Sequence, residues 1–201
     1  MLTACRPDIR TAKRTVAPAA EPLDADDARR HLRVTDEDVD VASYIAAARA
    51  RVEAVTERAL ITQTWTVKLD GWWGSADLEL PYPPLASVTS ITYWTDENGS
   101  TDTVATSVYE VDTASEPGRV RLKPGQSWPD DLYVKVGCIT ITFTAGYGAA
   151  HTSVPDSIKQ AMRLLVGHYD QNREGVVTGT IATALPEAVE SLLQQERVPW
   201  D

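Results

Sequence analysis

Cysteine, histidine and long apolar runs are scarce in this 201-residue chain, and each scarcity excludes something. The two cysteines, Cys5 and Cys138, stand far apart in unlike contexts. They supply neither a disulfide framework nor metal-ligand spacing, which fits synthesis in a reducing cytoplasm. The three histidines, His31, His151 and His168, lack the i, i+4 pairing that sets two metal ligands on one helix face. No apolar run approaches the ~18 residues a bilayer span needs, so no membrane partner is expected. Leu2–Cys5, "LTAC", is like a lipobox, but no charged and apolar signal regions precede it. Basic residues are also short: 19 Lys and Arg against 29 Asp and Glu leave a formal charge of −10. Arg6, Arg10, Lys13 and Arg14 against Asp8 make the first twenty residues net +3, so the remainder carries −13. A body so acidic repels phosphates, whereas a nucleic-acid binder displaces counterions with basic residues. DNA passing close by without specific binding stays compatible with this charge.

Signatures of catalysis are missing too. "TFTAGYGAAH", Thr142–His151, has the glycines of a phosphate loop at the end of a β-rich run. A dinucleotide loop needs G-x-G-x-x-G at the start of a βαβ unit, and here His151 occupies the third glycine's place. A Walker loop needs Gly-Lys-Ser/Thr, which is absent. Gly146 and Gly148 read instead as positive-φ positions where strand hands over to helix. There is no G-x-S-x-G elbow, and the acidic pairs Asp26/Asp27 and Asp130/Asp131 fall in a cap and a turn. Neither catalysis nor a cofactor is expected.

Residues 1–22 carry Pro7, Pro18 and Pro22 without periodicity and read as a flexible N-terminal arm. A helix is expected after Asp24 as N-cap. A second is expected from about Asp36 to Ala59, with Thr35 as N-cap, Asp38 at N3, and Val34 and Val39 as a hydrophobic staple. Val41, Ile45, Ala48, Val52, Val55 and Ala59 recur along it at 4, 3, 4, 3 and 4. This Ala/Val seam suits either the chain's own core or a neighbouring subunit.

After Leu60 the period becomes two. "TWTVKL", "DLELPYPPL", "VTSITYWTDENGST", "SVYEVD", "GRVRLK" and "YVKVGCITITFTA" read as short strands. Asn98-Gly99 forms a hairpin turn, and Gly137 marks a bulge in the last strand. From Pro155 a helix presents Ile158, Ala161, Met162, Leu165 and Tyr169 on one face, and another follows Pro186. The expected fold is α+β: an N-terminal helix pair (23–60), a central antiparallel β sandwich or small barrel (61–148), and C-terminal helices (149–197), with a docking tail at 198–201.

Of the six tryptophans, Trp72 and Trp73 share the glycine-flanked loop "DGWWGSAD". Such a pair can lid the sheet, contact a protein partner, or form a sugar platform. Trp200, next to the terminus in "RVPWD", reads as part of the docking tail.

The order "ERALITQTW", "LPYPPLASVTSITYWTDENGS", "YEVD", "SWP", "ITFTAGYG", "VPDSIKQAMRLLVGHYDQNRE" and "LPEAVESLL" resembles the head–tail connector (adaptor, head-completion) proteins of tailed bacteriophages and related gene transfer agents. The resemblance spans roughly residues 23–197. Each motif is mostly turn and strand chemistry, and their order carries the likeness. The basic first twenty residues and the "GVVTGTIATA" connector depart from the pattern.

That resemblance implies a structural virion protein at the head–tail junction, assembled in a bacterial host's cytoplasm. It implies a ring of copies, usually dodecameric, under the portal, with a tail or tail-completion protein on the other face and DNA passing through. It places portal contact on the C-terminal segment, here Leu193, Arg197, Val198 and Trp200. Subunit contact would use the seam Val41, Ile45, Ala48, Val52 and Val55, and tail or partner contact would use Trp72 and Trp73. The alternatives are another neck component such as a tail-side completion protein, a carbohydrate-binding β module using Trp72 and Trp73, and a hydrolase acting through His151 or His168.

Overall fold

A computed structural model describes residues 11–34, 40–172 and 187–198. The described chain divides into a β unit, residues 11–17 with 62–146, and a helical unit, residues 18–61 with 147–198.

The helical unit holds α1 (Ala25–Leu32), α2 (Val41–Thr56), a 3-10 turn at His151–Ser153, α3 (Asp156–Gln171) and α4 (Glu187–Glu196). Asp24 caps α1 as expected, its carboxylate accepting from the backbone N–H groups of Asp26 and Asp27. Helix α2 starts later than the spacing suggested, with Asp40 as N-cap accepting from the Ser43 N–H. Thr35, Asp38 and Val39 of the expected capping box lie outside the described residues. The helix ends at Thr56, because Glu57 turns left-handed at φ 58. Helix α3 packs against the other three. Ile158, Ala161, Met162, Leu165 and Val166 of α3 share one buried cluster with Val41, Ile45, Ala48 and Val52 of α2 and Val189 and Leu193 of α4. Each fully buried aliphatic chain there contributes about 1.5–3 kcal/mol relative to exposure.

The β unit holds β1 (Thr11–Val16), β2 (Gln63–Leu69), β3 (Leu78–Glu79), β4 (Leu85–Trp94), β5 (Thr101–Thr103), β6 (Tyr109–Asp112), β7 (Arg119–Leu122) and β8 (Ile139–Ala145). Two open antiparallel sheets form, β1-β2-β8-β4-β5 and β3-β7-β6, rather than a closed barrel. Strand β8 alternates cleanly: Ile139, Ile141, Phe143 and Ala145 point inward, buried, and the threonines between them point outward. Gly118 lets β7 close on β4, since a Cβ there would sit 2.4 Å from the Leu85 Cβ.

Three local expectations need correction. The arm is not featureless: residues 11–16, "TAKRTV", pair with β2 as an edge strand. Its threonines and Val16 favour extended backbone, and Lys13 and Arg14 are tolerated because an edge strand is half solvated. Gly137 is no bulge, because the ladder begins only at Ile139. Gly137 has φ 66, and its N–H donates to the Asp70 carboxylate at 2.6 Å, so it turns the chain before the strand. Of the two glycines in "AGYG", only Gly146 has positive φ, at 129. Gly148 is needed for space: a Cβ would lie 2.4 Å from the Ser153 hydroxyl oxygen.

Candidate functional site

The aromatic loop residues meet at one place in the β unit. Trp72 stacks on Trp128 with centroids 4.9 Å apart and planes 5° from parallel. Trp73 tilts against Trp128 at 4.4 Å, and Tyr93 meets Trp72 edge-on at 5.4 Å. The Trp72 indole N–H donates to the Pro129 carbonyl at 3.0 Å, and that of Trp128 donates to the Gly74 carbonyl at 2.8 Å. The Tyr93 hydroxyl donates to Asp131 at 3.0 Å. Burial first, then that hydrogen bond to a carboxylate, pushes the Tyr93 phenol up to about 12. Trp73 is only 7% exposed. Trp73 thus lids the sheet and has no open ring face to offer a partner or a sugar, whereas Trp72 is half-buried.

The seam on α2 turns inward. Val41, Ile45, Ala48 and Val52 are buried in the helical unit's own core, with Val55 half-buried against it. Packing inside the chain accounts for their spacing and corrects their assignment to a neighbouring subunit. Leu193 is buried in the same core, and Val198 is buried with its N–H donating to the Thr56 carbonyl at 3.2 Å. The Arg58 guanidinium donates to the Glu196 carbonyl at 2.6 Å, and the Ser157 hydroxyl to the Glu196 carboxylate at 2.6 Å. Of the four expected portal residues, only Arg197 is presented outward among the described residues. Trp200 lies outside them.

His151 and His168 have different neighbours: His151 Nδ1 lies 4.0 Å from an Asp24 carboxylate oxygen, and His168 Nδ1 lies 3.3 Å from the Asn172 amide nitrogen. Among the described residues no group of three or more His, Cys, Asp or Glu is placed to hold a metal ion.

Two surfaces of the β unit escaped the sequence reading. The first is an open groove of about 320 Å³ lined by Asp77, Glu110, Val111, Asp112, Arg119 and Arg121. Arg119 bridges Asp77 at 3.1 Å and Asp112 at 3.0 Å, and Arg121 pairs with Glu110 across the β6–β7 ladder. Hydrogen bonds from Ser115 first, then Arg119, hold the Asp112 carboxyl well below the usual carboxylate range. Alternating charges in "YEVD" and "RVRL" were the available signal, but only the register shows that they face one another.

The second is the outward face of the five-stranded sheet. Register sets Thr66, Thr142 and Ser90 in one row, and Lys68, Thr140 and Thr92 in the next. Thr64 and Thr144 continue the face. On β2, β8 and β4 this face carries hydroxyls and Lys68, and no carboxylate. The signal was the threonine at alternate positions of "TWTVK" and "TITFTA".

A family model described as head completion protein matches residues 27–197 of this chain. A structure of the virion of a native gene transfer agent particle contains a chain 27% identical to this one, with TM-score 0.75, covering 94% of this chain and 96% of that one. A chain in the neck of an empty gene transfer agent particle, computed with six-fold symmetry, is 26% identical with TM-score 0.74, covering 95% and 97%. One in the neck of a native particle, computed with twelve-fold symmetry, is 28% identical with TM-score 0.72, also covering 95% and 97%. No curated protein matches the chain.

Proposed function

Because the chain belongs to the head completion protein family, we propose that it is a structural subunit of a particle neck, forming a ring under the portal that joins the DNA-filled head to the tail. The observation that carries this reading is the likeness over 95% of the chain to a neck component of a gene transfer agent particle computed with twelve-fold symmetry. The role is geometric rather than catalytic. One face of the ring meets the portal, the other meets the tail or a tail-completion protein, and DNA passes through the middle. A net charge of −10 supports passage, because duplex phosphates are repelled rather than gripped.

In the portal contact Arg197 is the presented cation, held at the end of α4 where the Arg58–Glu196 and Val198–Thr56 bonds fix the backbone on either side. Mixing the full chain with its portal and imaging the product tests the reading. A ring of this chain stacked on the portal is expected, and a chain that stays monomeric beside intact portals overturns it. Arg197→Ala combined with Trp200→Ala should weaken co-sedimentation with portal while leaving the melting temperature unchanged. Equal loss of both would show that these residues serve folding instead.

A further inference from the structure

A ring generated by rotation needs two different, complementary patches on every copy, one for each neighbour. The helical core is consumed within the chain, so the patches have to be sought among side chains left outside. Among the described residues the exposed large apolar side chains are Val16, at 57%, and Tyr133, Val134 and Val136, at 40%, 73% and 82%. They belong to two places, and the two differ in charge.

The first place is β1. It pairs with β2 on one side and ends the strand order on the other, so its outer row of backbone N–H and C=O groups faces no strand among the described residues. Lys13 and Val16 pair with Thr66 and Thr64, which puts both on the carboxylate-free hydroxyl face. The second place is Asp130–Val136. Its "DDLYVKV" alternates as a strand does, yet it lies outside both sheets. Tyr133 donates its N–H to the Trp94 carbonyl at 2.8 Å, and Lys135 lies over the Trp94 ring, 2.9 Å from its centroid. With Lys135 taken up inside the chain and Asp131 accepting from the Tyr93 hydroxyl, the segment presents Asp130 beside its bare valines.

The two places also stand at opposite ends of the strands of one sheet. Val16 sits beside the start of β2, where β8 ends, and Trp94 at the finish of β4, where β8 begins, with β2 and β8 between β1 and β4. An open basic edge at one end and an acidic, apolar, strand-like segment at the other are what head-to-tail joining requires.

We infer that in the ring the Asp130–Val136 segment of one copy adds as an extra strand along the free edge of β1 in the next. This rests on the neck-ring reading above. Main-chain hydrogen bonds supply the pairing, Val134 and Val136 cover Val16, and Asp130 faces Lys13.

Disulfide trapping tests the contact. In a Cys5→Ser background the full chain carries Val16→Cys and Val134→Cys together, is assembled with its portal and oxidised. A ladder of covalent multimers in non-reducing electrophoresis is expected, and neither single substitution should give one. Independently, Lys13→Glu or Asp130→Lys alone should raise the concentration needed for ring formation about tenfold, and the two together should restore it, since like charges at a contact repel. Each variant should melt at the parent temperature because both sites are exposed. If the unsubstituted chain makes rings on the portal but no ladder forms and the charge variants assemble normally, this contact is wrong and the neck reading stands. If the unsubstituted chain makes no ring, both fall.

Discussion

In the helical unit the polar groups are turned to closing the chain on itself, and in the β unit many are left facing out. Asp24 and Asp40 cap α1 and α2, Arg49 bridges Glu21 at 2.8 Å and Glu53 at 3.4 Å, and Glu53 also accepts from the Leu60 N–H. The β unit instead keeps an open edge strand, a charged groove, a hydroxyl face and all the exposed large apolar residues described. A helix satisfies its backbone internally and needs only its ends and one stripe covered. A sheet always has edges and two faces, so it keeps surface to offer a partner. The β unit is therefore where this chain's contacts with copies or partners are best sought.

The largest effects should come from breaking either core. Phe143→Ala should cost about 3–5 kcal/mol and Ile45→Ala about 2–5 kcal/mol in denaturant unfolding, since each leaves a cavity. Hydrogen exchange sharpens the contrast: Phe143→Ala should loosen β2, β8 and β4 amides first, and Ile45→Ala those of α2 and α3. A uniform rise across both units would erase the distinction. Next comes Gly118→Ala, where the new methyl meets Leu85 and should cost about 1–3 kcal/mol by overpacking. Asp24→Ala removes the α1 cap and should cost about 1 kcal/mol in the same assay.

A pH effect is confined to the β unit. The Tyr93 phenol is raised from 10.0 to about 12. The folded state thus holds this proton more tightly than the unfolded state, and that contribution to stability is whole below about pH 10. It is lost as pH rises from about 10 to about 12. Tyr93→Phe should flatten this alkaline decline in unfolding curves, and Asp131→Asn should make Tyr93 titrate earlier by ultraviolet absorbance.

Several elements were legible because a local rule acted alone. Asp24 as cap, the α3 face from Ile158 to Leu165, and the strict alternation in "ITITFTA" each follow from spacing within a few residues. The edge strand at Thr11–Val16 was not legible, because nothing inside "TAKRTV" says that β2 will pair with it. The start of α2 at Val41 was missed for a similar reason: Thr35 and Asp40 both suit an N-cap by type. Of the expected contact residues, Arg197 faces outward, whereas Leu193, Val198 and Trp73 are held inside. Apolar side chains suit a core and an interface equally, so residue type alone could not sort them.

The amino-acid order by itself determined the α+β class, the net negative charge, and a succession of turns and strands that resembles neck proteins, because these follow from composition and from periods of two and 3.6. Which side of each element faces inward against which partner was decided only by tertiary structure. The Val41–Val52 stripe became core because α3 and α4 arrived with matching faces. The Glu110–Arg121 pair, the hydroxyl face and the open β1 edge exist only through register, which joins residues far apart in the chain.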